Sequence, residues 1–146
     1  MNDLKTFDVK RFSMVIGVMP VVTMGLSDAD DAISIKRSSD SYTKTVGLTG
    51  EVTRNRQYDK SGEITVKVKK DSMLNDYFSG LRNADEMNNG GVVEIAAKHY
   101  DSTTVIASAF GWIRKQPDYS IGKEVGEIMW TFDCADLDSF FGGQLQ

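Results

Sequence analysis

Cysteine and histidine are almost absent: Cys134 and His99 are the only ones in 146 residues. A lone cysteine forms no internal disulfide, and one Cys with one His makes no ordinary structural zinc site. Synthesis in a reducing host cytoplasm is the expectation that follows. Long apolar runs are missing too. The longest, Met14 to Met24, is broken by Gly17, Pro20 and Thr23 and falls short of the ~20 residues a membrane helix needs. The opening Met1-Asn2-Asp3-Leu4-Lys5 has no basic stretch leading into an apolar one, so no secretory leader is read there. Basic charge is in the minority, with 17 Lys and Arg against 21 Asp and Glu and a net charge of −4. Phosphate binding needs clustered cations, so the chain is a poor candidate for holding nucleic acid. An acidic protein can still let DNA pass without sticking to it.

What is present suits one folded domain over 1–146, with extended arms at its ends. At 40% hydrophobic and 26% charged, the chain is neither disordered nor collagen-like. The dominant period is two. In Glu63-Ile64-Thr65-Val66-Lys67-Val68-Lys69 the apolar residues alternate with polar ones, as in a strand with one buried and one wet face. Ser61-Gly62 reads as the turn before it. Further strands are expected over Phe7 to Ile16, Val18 to Met24 and Ala32 to Lys36. Val92 to His99 and Thr103 to Lys115 form a hairpin through Tyr100-Asp101-Ser102, and Glu124 to Cys134 is the last strand.

One segment breaks this period. From Ser72 to Asp85, Met73, Leu74, Tyr77, Phe78 and Leu81 fall on one side of a helix, with Asp71 or Ser72 as its cap and Asn88-Asn89-Gly90-Gly91 as its end. A single amphipathic helix packs on the face or end of a sheet. The stretch from Arg37 to Gly50, rich in Ser, Thr, Lys and Gly, reads as a long polar loop without structure of its own. Such loops are usually functional. Phe140 and Phe141 near the end either pack at home or dock on a neighbour.

No residue pattern points to catalysis. Gly122-Lys123-Glu124-Val125-Gly126 lacks the spacing of a phosphate loop and reads as turn glycines. His99 has no helper motif and reads as a surface or interface histidine; Cys134 reads as a small buried apolar residue. Asp28, Asp30 and Asp31 start like a calcium loop but lack its glycine and terminal Glu; Asp133, Asp136 and Asp138 fail the same spacing. Lys67, Lys69 and Lys70 read as a solvated strand face that blunts an edge. Trp112 and Trp130 read as core or interface residues, or, in an alternative reading, as the lining of a small-ligand-binding β-barrel. No catalytic residue, metal site or cofactor is assigned.

Several stretches, in order, resemble one family. They are Tyr42-Thr43-Lys44-Thr45-Val46-Gly47-Leu48-Thr49-Gly50-Glu51-Val52-Thr53-Arg54, then Asp59-Lys60-Ser61-Gly62-Glu63-Ile64-Thr65-Val66, then the helix with Asn75-Asp76. The closing stretch is Lys115-Gln116-Pro117-Asp118-Tyr119-Ser120-Ile121-Gly122-Lys123-Glu124-Val125-Gly126, followed by Trp130. Together they resemble the tail-tube structural proteins of contractile-tailed bacteriophages. The resemblance implies a mainly β, sandwich- or barrel-like subunit with a flanking helix and a long polar loop at about 37–50. It implies a non-enzymatic component of the virion tail whose copies form hexameric rings that stack into a tube. The implied partners are other copies, the tail sheath, the initiator or baseplate and terminator proteins, with DNA passing through the lumen unbound. Ser38, Ser39, Asp40, Tyr42 and Lys44 are then candidates for ring-to-ring contact, and Asp28, Asp30 and Asp31 for an acidic lumen or loop. A tube of a related machine, an R-type bacteriocin or a type VI secretion ring, shares the same physics.

Overall fold

Alternation of buried and wet residues builds most of the molecule. The computed structural model describes residues 4–27 and 31–143. Its strands are β1 (Phe12–Ile16), β2 (Met19–Pro20), β3 (Ile33–Arg37), β4 (Tyr42–Val46), β5 (Val52–Arg56), β6 (Gly62–Lys69), β7 (Val93–His99), β8 (Val105–Ile113), β9 (Glu127–Cys134) and β10 (Leu137–Phe140). The single α-helix, α1, spans Leu74–Asn88. One antiparallel sheet runs in the order β2-β1-β7-β8-β9-β6-β3, and β10 also pairs with β8. The pair β4-β5 forms a separate two-stranded ribbon. The fold is mainly β with one helix, as the period-two pattern predicts.

In β6, Ile64, Val66 and Val68 are fully buried while the residues between them face outward. They meet Ile128, Trp130 and Phe132 of β9 across a regular register from Gly62↔Cys134 to Lys69↔Glu127. Met14 and Ile16 of β1, Ile95 and Ala97 of β7 and Ile106 of β8 complete one core. Burial of such side chains stabilises by roughly 1.5–3 kcal/mol each, before the opposing chain entropy.

A crease crosses the sheet. Val93 pairs with Gly111 but Ile95 with Ser108, so β8 carries an extra residue against β7 at Ala109-Phe110. The neighbouring line flips at the same place: Cys134 and Leu137 are both buried, while Ala135 and Asp136 between them are exposed. Ala135 N–H donates to the Phe110 carbonyl at 3.0 Å, joining the two irregularities. Leu137 turns inward over the start of β6. A Cβ on Gly62 would lie 2.5 Å from Leu137 Cδ2 and 2.6 Å from the Lys36 carbonyl oxygen, so only glycine fits there.

The helix closes the core. Leu74 and Phe78 are fully buried, and the Phe78 ring meets Trp130 and Phe132 edge-on at 5.5 and 5.1 Å. Met73, not the expected Asp71 or Ser72, stands at the N-cap and makes no side-chain cap bond; Ser72 lies one residue earlier, its Oγ accepting from Leu74 N–H at 3.1 Å. Asn89 ends it in the left-handed conformation at φ 59°, its N–H donating to the Asp85 carbonyl at 2.9 Å. Asn75 anchors the first turn. Its Nδ2 donates to the carbonyls of Lys69, Lys70 and Ser72 at 2.9, 3.1 and 3.2 Å, and its Oδ1 accepts from Trp130 Nε1 at 3.0 Å.

Several expectations are corrected. The strand expected over Phe7 to Ile16 begins only at Phe12, after a 3-10 turn at Val9–Arg11. Glu124 to Cys134 does not hold the last strand, because β10 follows at Leu137–Phe140. Arg37 to Gly50 is not a structureless loop: it holds β4, which pairs with β5 from Tyr42↔Arg56 to Val46↔Val52. All five residues of β4 are exposed, so the apolar alternation that marks the other strands is missing. Val18 to Met24 is mostly turn, with only Met19–Pro20 in a strand, because the chain folds back so that Val21 N–H donates to the Met14 carbonyl at 2.8 Å. Gly62 is the first residue of β6 rather than part of a turn; the local turn is made by Asp59, whose Oδ1 accepts from Ser61 N–H at 3.0 Å. His99 is buried, not surface: its ring lies 5.4 Å from Phe7 and 6.3 Å from Phe12. Its Nδ1 accepts from Asp101 N–H at 3.2 Å.

Candidate assembly surface

The β4–β5 ribbon is the most exposed element. It is closed by Gly47-Leu48-Thr49-Gly50, where Gly47 N–H donates to the Glu51 carbonyl at 2.7 Å and Gly50 takes φ 95°. Leu48 at the tip is fully exposed. The base is tied down at one point. Ser38 N–H donates to the Ser61 carbonyl at 3.0 Å, and Ser39 Oγ donates to Asp59 Oδ2 at 2.6 Å. The hydroxyls of Ser39 and Ser61 stabilise the Asp59 carboxylate and hold its pKa down to about 2. Of the residues the sequence singles out, Ser38, Ser39 and Asp40 therefore lie at the ribbon's base, while Tyr42 and Lys44 lie on β4. The partner strand β5, with Arg54 stacked 4.2 Å over the Tyr42 ring, was missed; the signal for it was the glycine-bounded turn between two Thr- and Val-bearing segments.

Asp28 and Asp30 lie outside the described residues. Asp31 does not stand free: Lys67 Nζ donates to its Oδ1 at 2.7 Å and lowers its pKa. The lysine face is likewise engaged. Lys69 lies 3.9 Å from Asp71, and Lys70 donates to the Ser120 carbonyl with its Nζ 4.9 Å from the Tyr119 ring centroid.

A second exposed feature is a mostly apolar groove of about 800 Å³, lined among others by Phe12 of β1, Ile33 and Ile35 of β3, Val22 and Phe141. It lies where the two ends of the sheet approach each other, and sheet ends carry unpaired backbone groups. Phe140 and Phe141 are both largely exposed. Trp112 and Trp130 do not share a pocket. Trp130 faces the helix in the core, whereas Trp112 lies between the buried Gly111 and Ile113 and so points to the other face, beside Asp133. Asp133 is held there by Arg114, which also pairs with Glu63. Among the described residues, no group of three or more His, Cys, Asp or Glu is placed to hold a metal ion. No helix among the described residues is long and apolar enough to cross a membrane. The strand ends, Phe140 and Phe141 and the projecting ribbon are, among the described residues, surfaces left uncovered.

The architecture matches subunits of contractile injection systems. An extracellular contractile injection system's "PVC sheath/tube terminator in extended state" superposes with a TM-score of 0.61 at 12% identity, covering 96% of this chain and 100% of that one. The anti-feeding prophage cap, an AFP tube terminating cap, gives 0.58 at 12% identity, covering 96% and 94%. A chain of the PVC sheath-tube complex in the extended state gives 0.57 at 11% identity, covering 92% and 91%. At such identities these likenesses establish the fold alone.

The sequence makes the assignment narrower. Residues 6–142 match the pattern of the bacteriophage PhiTE tail tube protein family, and the chain belongs to that family. It is a structural tail tube protein, not an enzyme. No curated protein matches it.

Proposed function

We propose that the chain is the repeating subunit of a contractile tail's inner tube. Six copies close into a ring, rings stack end to end, the sheath surrounds them, a terminator protein ends the tube, and DNA travels down the lumen without specific binding. The match to a tail tube family across residues 6–142 is the observation that carries this reading. The shape of the subunit supports it. Joining the ends of the sheet between neighbours satisfies their backbone groups, and a head-to-tail contact that closes makes a ring. The β4–β5 ribbon, with Ser38, Ser39 and Asp40 at its base, is the element that reaches the next ring. Net negative charge keeps DNA from adhering to the wall; Asp28 and Asp30 remain candidates for that role, while Asp31 is already neutralised by Lys67.

A second role, that of a tube terminator, has specific support in the terminator structures that share the fold. Copy number separates the two. Purified tail particles, measured by quantitative mass spectrometry and electron microscopy, are expected to contain this chain in many multiples of six along the tube. A single ring at one end would overturn the repeating-subunit reading. Replacement of 42–56 by a short Gly/Ser linker is expected to leave the subunit folded and to block tube growth; tubes of ordinary length would refute the ribbon's role. A bacteriocin or secretion machine would differ in lacking packaged DNA.

A further inference from the structure

Two surfaces carry charge that the subunit does not neutralise. The first is one face of the ribbon. Directly opposed residues point to the same side, so Tyr42 with Arg56, Lys44 with Arg54, and Val46 with Val52 share a face. Lys44 and Arg54 stand directly across from each other, a like-charge pair that opposes pairing of the strands. The opposite face is uncharged, with Thr45 and Asn55 hydrogen-bonded at 2.9 Å. None of Lys44, Arg54 and Arg56 forms an ion pair among the described residues. A lone two-stranded ribbon is marginal in water, and this one joins no larger sheet. Both facts point to a partner that supplies negative charge.

The second surface is the outer side of the crease. Phe110 is 58% exposed there. Glu94 faces the bulge from β7, between the pairs Val93↔Gly111 and Ile95↔Ser108. Asp136 faces it from the other side, beside Ala135, and Asp138 follows on the outer face of β10, opposite Ala107. None of these three carboxylates forms an ion pair among the described residues. The result is an exposed phenyl ring flanked by free carboxylates.

We propose that these two surfaces bind each other between copies of the chain: the Tyr42/Lys44/Arg54/Arg56 face of one subunit docks on the Phe110 crease of another. The inference deepens the tube reading and rests on it. The two patches are complementary in sign, and each sets aromatic surface beside charge, so guanidinium can stack on Phe110 while the carboxylates separate Lys44 from Arg54. The patches are different, so the contact is head-to-tail; such a contact either closes into a ring or runs on as a stack, and the tube reading assigns it to the stack.

Charge exchange on the full chain tests it. Lys44→Glu with Arg54→Glu, and separately Glu94→Lys with Asp136→Lys, are expected to keep the wild-type circular dichroism spectrum and melting profile. Each pair is expected to raise the concentration needed for tube growth about tenfold. The four substitutions together are expected to restore tubes. Failure of the combination to restore growth that each pair blocks would overturn the docking pair. If replacing 42–56 blocks tubes but the exchange does not restore them, stacking by the ribbon stands and this partner surface falls. If replacing 42–56 leaves tubes intact, the ribbon's stacking role itself fails. Normal tubes from the Lys44→Glu/Arg54→Glu variant that no longer bind sheath would overturn the self-contact and assign the face to the sheath.

Discussion

Changing Asn75 to Asp alters one atom's chemistry at a point where four hydrogen bonds converge. The Asn75 amide hydrogens are shared among the carbonyls of Lys69, Lys70 and Ser72, while its oxygen takes the Trp130 indole N–H. A carboxylate keeps the indole bond but presents an oxygen to three carbonyl oxygens. Loss of two amide donors from a half-buried site costs roughly 1–3 kcal/mol, and the oxygen–oxygen repulsion adds to that. For a domain of this size each kcal/mol lowers the melting temperature by about 2–4 °C, so a fall of about 2–12 °C at pH 7 is expected. The pH dependence has a definite sign. The surrounding carbonyls favour the protonated carboxyl, so its folded-state pKa lies above its unfolded value. The neutral form's contribution is present at low pH and is lost as pH rises through the folded pKa. The deficit relative to wild type is therefore largest at neutral pH and shrinks toward pH 4. Thermal melts of both proteins from pH 4 to pH 8, followed by circular dichroism, read this directly. A melting temperature within 2 °C of wild type at pH 7, or a deficit that grows on acidification, would refute the reasoning.

Gly62→Ala is expected to destabilise by about 1–3 kcal/mol in urea titrations, because the Lys36 carbonyl cannot move without shifting β3; an unchanged midpoint would refute the crowding. The Asp59 carboxyl is expected to titrate near 2 by NMR, and Ser39→Ala to move that midpoint upward. Because its folded pKa is depressed, Asp59 stabilises above its unfolded pKa, and that contribution is lost as pH falls toward 2; an ordinary midpoint would remove it. Burial raises the Cys134 thiol pKa, so a thiol reagent at pH 8 is expected to label the native protein slowly and the unfolded chain quickly. Equal rates would show that the site is open.

The strands with two unlike faces were legible because burial leaves a period in the sequence. β6, β7, β9 and the Tyr100–Ser102 connection follow it, and α1 shows its stripe, with Leu74 and Phe78 inward. Met73 was placed on that stripe but precedes the helix and is 68% exposed. The ribbon left no such trace, since a strand exposed on both faces has no apolar rhythm. His99 was misplaced because its cover, Phe7 and Phe12, comes from another strand and the N-terminal segment. The crease was invisible for a different reason: it depends on which strands are neighbours, not on either strand alone. Of the residues proposed for ring-to-ring contact, Tyr42 and Lys44 came through family likeness, while Arg54 and Arg56 share their face from β5, whose one sequence signal was the glycine-bounded turn.

The paired irregularities at 109–110 and 135–136 bear on how relatives of this chain can differ in length. Deleting one of Ala109-Phe110 alone would restore plain alternation in β8, with Ile106 and Ser108 still on the face of Gly111 and Ile113, but would leave the extra residue at 135–136 unmatched across the strand pair. Only matched deletions on both strands keep the two in step. Gaps at these two places, separated by a long stretch of sequence, should therefore be gained and lost together across the family.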